Sequence, residues 1–145
     1  MPREPSTPRI TLWRKLRRLG AVQLVDGLVA LPSNARTKEQ LEWLADEVVE
    51  ADGEATVWIA RSASADQERQ LKTRITDAAA EEYQAVIDEA DEARDAELPE
   101  RRRTLERLRR ELLRISQRDY FPPPEREEAH LAVDALAAAV MEEVP

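Results

Sequence analysis

The sequence predicts an α+β fold: a small helix–strand–strand–helix–strand unit, then an antiparallel helical hairpin and a final helix. Three observations carry this expectation. An Asp26-Gly27 turn signal lies between two short apolar runs, which are themselves flanked by amphipathic helical stretches. After Ser62 the pattern changes to long helical periodicity, first acidic and then basic. Three consecutive prolines, Pro122 to Pro124, then separate off a last amphipathic stretch. The expected division is residues 1–62 for the α/β unit and 63–145 for the helical extension.

Thr7-Pro8 reads as a helix start, with Thr7 as N-cap and Pro8 at the first helical position. The helix should stop at Gly20, a residue suited to the C-cap. Leu12, Trp13, Leu16 and Leu19 share one face, and Arg14, Lys15, Arg17 and Arg18 share the other. "AVQLVDGLVALP" follows, with strands expected at 21–25 and 28–31 around a type I′ Asp-Gly turn. A lone hairpin is marginal in water, so further strands or a helix should cover it. In "TKEQLEWLADEVVEADG", Thr37 and Gln40 suggest a capping box. Leu41, Leu44, Val48 and Val49 point one way, and Asp52-Gly53 ends the helix. "EATVWIA" is rich in β-branched and aromatic residues and reads as a third strand at 55–60.

Ser64, with Gln67 completing a second capping box, opens a helix reaching toward Glu97. At 1.5 Å per residue it spans roughly 50 Å. Its thin stripe is Leu71, Ile75, Ala79, Tyr83, Val86 and Ala90. Leu98-Pro99 interrupts the pattern, and the next helix places Leu105, Leu108, Leu112 and Ile115 on a coiled-coil-like seam. That helix carries Arg101, Arg102, Arg103, Arg107, Arg109, Arg110, Arg114 and Arg118. Acidic and basic helices joined by a tight turn predict a hairpin over 64–118. Exposed ion pairs are worth about 0–1 kcal/mol each, so the apolar seam must hold it. After a Pro-rich break at 121–124, a helix over 125–143 presents Ala129, Val133, Leu136, Val140 and Val144.

Composition excludes several function classes. The 145 residues carry a formal net charge of −8, which disfavours general nucleic-acid binding, although the charge is unevenly spread. There is no cysteine, hence no disulfide, thiolate metal site or Cys nucleophile. His130 is the only histidine, and Glu127 three residues before it is the only Glu-x-x-His unit, so no metal and no cofactor is expected. The three glycines form no phosphate-cradling loop. No nucleophile–base set is visible, and the chain is not expected to be an enzyme. No apolar run approaches a membrane span or a signal-peptide core, so no membrane partner and a cytoplasmic location are expected.

Adding one strand in front of the expected order gives β-α-β-β-α-β, the ferredoxin-like split βαβ. The first unit is therefore read as ferredoxin-like with its first strand missing, "PREPSTP" being that strand's exit loop. The segments "PREPSTPRITLWRKLRRLGAVQLVDGLVALP", "EQLEWLADEVVEADGEATVW" and "RDYFPPPE" resemble the N-terminal domain of the ChrB family of chromate-resistance proteins. The resemblance covers nearly the whole chain, and PREPS–LWR–LRRLGA and RDYF are its most specific pieces. In that family a short apolar strand normally precedes PREPS. Here the chain begins at Met1-Pro2, so either its start is placed downstream of the natural one or this version lacks the strand. The family's long forms continue past the point matching Pro145 into a larger second domain. The resemblance implies a chromate-responsive transcriptional regulator.

On that reading the candidate residues for binding nucleic acid or an oxyanion are Arg9, Arg14, Lys15, Arg17, Arg18, Arg118 and Tyr120. Arginine suits tetrahedral oxyanions because its fork donates two parallel hydrogen bonds. The candidate partners are DNA, the chromate oxyanion, a second copy forming a homodimer, or a separate second domain. For the first helix the competing reading is a solvated face opposite a core stripe. For the arginines of the second basic helix it is neutralisation by the acidic helix. For Tyr120 and Phe121 it is docking on the sheet, and for Trp13, Trp43 and Trp58 it is a core or sheet-facing position.

Overall fold

A computed structural model describes residues 7–142. In order they form α1 (Thr7–Leu19), β1 (Val22–Val25), β2 (Leu28–Ala30), α2 (Ala35–Glu50), α3 (Ala65–Ala93), α4 (Leu98–Gln117) and α5 (Glu125–Glu142). The chain divides into two compact units, Met1–Leu71 and Lys72–Pro145, with the change falling inside α3. The α+β class holds, with the β content confined to one two-stranded antiparallel sheet. The expected "PREPSTP" loop, apart from Thr7 and Pro8 in α1, and the expected position of Val144 lie outside the described residues.

In the first unit, α1 ends in a Schellman motif: Ala21 N donates to Leu16 O at 3.1 Å and Gly20 N to Arg17 O at 3.0 Å. Gly20 takes φ +84°, which a side chain would disfavour. Leu16 is the fully buried residue of α1, while Leu12, Trp13 and Leu19 are half-buried. The hairpin forms where expected, but its turn is not type I′. Gly27 has φ +78°, whereas Asp52 is the only non-glycine at positive φ among the described residues, so Asp26 is not. Val22 pairs with Ala30 and Gln23 with Val29, and the register then slips at Val25. A glycine at positive φ beside a one-residue slip marks a G1 bulge, the three-residue-loop solution to the same connection.

The α2 N-cap is Asn34 rather than Thr37. Thr37 N donates to Asn34 Oδ1 at 2.9 Å, and Asn34 N donates back to Thr37 Oγ1 at 3.1 Å. Asparagine caps as well as threonine does, and the helix gains almost a turn by starting there. Thr37 becomes the third helical residue, buried, with its hydroxyl donating to Pro32 O at 2.6 Å. Leu44 and Val48 are buried as expected, but Val49 is exposed.

The third strand expected at 55–60 does not form; that segment has no regular structure. A strand exists only through its ladder, and among the described residues no strand lies beside this one. Among the described residues the sheet therefore stops at two strands and the ferredoxin-like arrangement is not seen. The same fact corrects two tryptophans. Trp43 is 62% and Trp58 79% exposed, because among the described residues no wider sheet covers them.

The second unit is a helical bundle whose core joins Ala79, Tyr83, Val86, Ala90 and Ala93 of α3 with Leu105, Leu108, Leu112 and Ile115 of α4 and Ala129, Val133, Leu136 and Val140 of α5. Ser64 Oγ caps α3 by accepting from Gln67 N at 3.2 Å. The helix ends at Ala93, before the expected Glu97, and α4 begins at once with Glu97 as N-cap and a proline in its first turn. The seam read from the leucine spacing is the buried face of α4. The backbones of α4 and α5 run close together, as the small side chains of α5, Ala129 and Ala132 among them, allow. No helix among the described residues is long and apolar enough to cross a membrane.

Candidate functional site

The seven candidate residues fall in two places. Five lie on α1 in the first unit, and Arg118 and Tyr120 follow α4 in the second.

On α1 the structure sorts the five. Arg14, Arg17 and Arg18 are exposed and form no ion pair with any described residue. Lys15 is committed to α2: its Nζ donates to Glu47 Oε1 at 2.9 Å and Oε2 at 2.8 Å. Arg9 is half-buried and already has an interaction partner. Because α1 must bury Leu16, the opposite face projects Arg14, Arg17 and Arg18 into water. Arg17 and Arg18 also lie in the last turn, where cations oppose the partial negative charge of the helix end. Three guanidiniums on one short helix face can contact phosphates without breaking an existing pair.

Arg118 is placed differently. It caps α4, its side chain is only 13% exposed, and its guanidinium pairs with Glu82 of α3. Burial lowers its pKa from the usual arginine value. Next to it, Tyr83 of α3 donates its phenol to Asp119 Oδ2 at 2.8 Å. Burial, then the hydrogen bond and charge of Asp119, push the Tyr83 pKa well up, while Arg126 pulls the other way. Arg118 Nε and Asp119 Oδ1 are buried without a hydrogen-bond partner among the described residues. Tyr120 is half-buried and has a partner of its own. Phe121 lies beside α3 with Lys72 Nζ 5.4 Å from its ring centre, a cation–π distance. The RDYF segment thus serves as a clasp: Arg118, Asp119 and Phe121 fasten the end of α4 to Glu82, Tyr83 and Lys72 of α3.

Glu82, Tyr83 and Asp119 were not among the candidate site residues, although Tyr83 stands in the apolar stripe and Asp119 in the RDYF segment. The available signal was Tyr83 itself, a phenol in the middle of an alanine-rich buried stripe, where the hydroxyl needs a partner.

Arg107 of α4 and Arg118, just past its end, pair with Glu89 and Glu82 of α3, and Arg114 pairs with Glu111 on its own helix. A depression of about 320 Å³ is lined by Asp91, Arg94, Asp95, Arg101, Ala139 and Glu142. None of the candidate residues lines it, and its two arginines face three carboxylates. Among the described residues no group of three or more His, Asp or Glu side chains is arranged to hold a metal ion.

Comparison with known proteins places these features. The family model "Protein ChrB, N-terminal" matches residues 9–143. Protein ChrB of Cupriavidus metallidurans is 30% identical over 126 residues, which are 84% of this chain and 38% of that protein. The chain therefore spans well under half the length of this curated relative. No solved structure matches at a significant level. With β1 through α5, and α1 from its third residue, inside the matched range, the chain belongs to the family of ChrB N-terminal domains.

Proposed function

We infer that this chain is a non-enzymatic regulatory module of chromate resistance, the N-terminal part of a ChrB-type transcriptional regulator working in the cytoplasm. It binds DNA through the exposed face of α1. The observation that carries this reading is the division on that helix: Lys15 is tied to Glu47, while Arg14, Arg17 and Arg18 face water with no described carboxylate to pair with. Family membership supplies the link to chromate resistance. The chromate oxyanion is a second candidate ligand for the same guanidiniums, which suit any tetrahedral oxyanion.

A gel-shift titration against the DNA upstream of its own gene, repeated at several salt concentrations, tests the reading. Binding whose logarithm falls linearly with the logarithm of salt is expected. No binding at low salt, with or without chromate, refutes it.

One observation favours a second reading, a protein-interaction module. The first unit exposes Leu28, Trp43, Val49, Trp58 and Ile59, and among the described residues no further strand pairs with either edge of its two-stranded sheet. Unpaired edges and exposed aromatics suit pairing with a second copy or with a separate domain. Light scattering distinguishes the two: a strictly monomeric chain that binds DNA supports the first reading alone.

A further inference from the structure

The arginines of α4 divide into two sets. Arg101 is buried and donates toward Ala139 O at 3.4 Å. Arg107 and Arg114 are paired with Glu89 and Glu111. Arg102, Arg103, Arg109 and Arg110 are exposed and form no ion pair with any described residue. The acidic helix α3, expected to neutralise this charge, pairs through Glu89 with Arg107 and through Glu82 with Arg118, past the end of α4, and with none of these four.

These four arginines form a surface of their own. At 3.6 residues per turn they occupy an arc of about 120°, roughly opposite the buried seam of Leu105, Leu108, Leu112 and Ile115. Arg102 and Arg109, like Arg103 and Arg110, are two turns apart, so the stripe runs about 12 Å along the axis. Glu106 sits in its centre as the lone carboxylate, and exposed Leu113 continues it toward the C-terminus. One carboxylate cannot balance four guanidiniums, and burying the seam does not require any of them.

We propose that this outward face of α4 is a second nucleic-acid surface, a phosphate-tracking stripe built from Arg102, Arg103, Arg109 and Arg110. It rests on the reading of the chain as a DNA binder and adds to α1 a separate contact carried by the other unit. The chemistry fits phosphates better than an acidic protein. Guanidinium forks match phosphate oxygens, and the stripe lacks the buried aromatic anchors on which protein interfaces depend.

The test is the salt dependence of binding to a duplex of arbitrary sequence. The combined variant Arg102→Gln, Arg103→Gln, Arg109→Gln and Arg110→Gln should reduce the slope of log affinity against log salt by about three to four, near 0.9 per lost contact. The loss should be equal on unrelated duplexes, since phosphate contacts carry no sequence information. Glu106→Gln should tighten binding about 2- to 5-fold, a gain that misfolding cannot imitate. A comparison variant, Arg14→Gln, Arg17→Gln and Arg18→Gln, separates the two helices. If the parent binds, this α1 variant weakens and the α4 variants leave slope and affinity unchanged, the stripe is overturned and the α1 reading stands. If the parent binds no duplex at low salt, both fall. If polyglutamate displaces the chain as well as duplex DNA does at equal charge, the assignment to nucleic acid is overturned.

Discussion

Tyr83, with no solvent exposure, donates its phenol to Asp119 across 36 residues of sequence, at 2.8 Å. This bond joins the middle of α3 to the segment leaving α4. Hydrogen bonds to charged acceptors are worth more than neutral ones because the carboxylate's charge strengthens the attraction. Tyr83→Phe keeps the ring in the core and removes only the donor. It should lower unfolding stability by about 1–3 kcal/mol. Urea denaturation at neutral pH measures this, and an unchanged midpoint would show that the bond adds nothing net.

The same pair sets a pH dependence. The folded state raises the Tyr83 pKa, chiefly by burial. A raised pKa means that folding favours the protonated phenol. The stability is complete below the unfolded tyrosine value of about 10 and falls as pH climbs above it. Above that point the unfolded chain releases a proton that the folded chain retains, so unfolding gains. The parent should lose stability between about pH 9 and pH 11 more steeply than Tyr83→Phe does. Tyr120 and the lysines are present in both chains and cancel in the difference. Parallel slopes would show that Tyr83 ionises in the folded state as easily as in the unfolded one.

Arg118 and Glu82 should behave as a coupled pair. Arg118 is the more buried partner, with side-chain exposure of 13% against 35% for Glu82. Glu82→Gln strands a desolvated guanidinium, whereas Arg118→Met leaves a carboxylate that water can still reach. The first should therefore cost more, about 1–3 kcal/mol. Arg118 Nε lacks a hydrogen-bond partner among the described residues, so the intact pair is imperfectly satisfied. The double variant should lose less than the sum of the singles, with a coupling of about 1 kcal/mol. Additive losses in a thermal or urea series would show that the two groups act independently.

The helical half was legible in the sequence because its information is local. Leu105, Leu108, Leu112 and Ile115 repeat at the spacing that puts them on one face, and all four are buried. The segment 55–60 has equally clear strand composition, yet a strand depends on a neighbour that local pattern cannot supply. Asn34 and Thr37 are both good caps three residues apart, and the choice went to the one whose helix also buries Thr37. On α1 the basic face was legible, but the loss of Lys15 to Glu47 was not, since that partner lies on another helix. The clasp of Glu82, Tyr83, Arg118 and Asp119 was hidden for the same reason. Its two halves, Glu82-Tyr83 and Arg118-Asp119, are far apart in sequence, and only the packing of α3 against the end of α4 brings them together.

The two helix ends of the first unit offer a matched stability test. Both close with Schellman bonds: Ala21 to Leu16 and Gly20 to Arg17 in α1, Gly53 to Val48 at 2.8 Å and Asp52 to Val49 at 3.0 Å in α2. The left-handed position is Gly20 in the first and Asp52, at φ +63°, in the second. A side chain there crowds the following carbonyl, and an aspartate adds negative charge at the negative end of the helix dipole. Asp52→Gly removes both penalties but adds backbone freedom to the unfolded chain. The net gain should be about 0.5–1 kcal/mol, read as a rise in urea midpoint. Gly20→Ala should move the other way by about 1 kcal/mol, because alanine meets at α1 the crowding that aspartate already bears at α2. If Gly20→Ala destabilises while Asp52→Gly does not stabilise, the Asp52 side chain offsets its own strain through interactions with the surrounding turn.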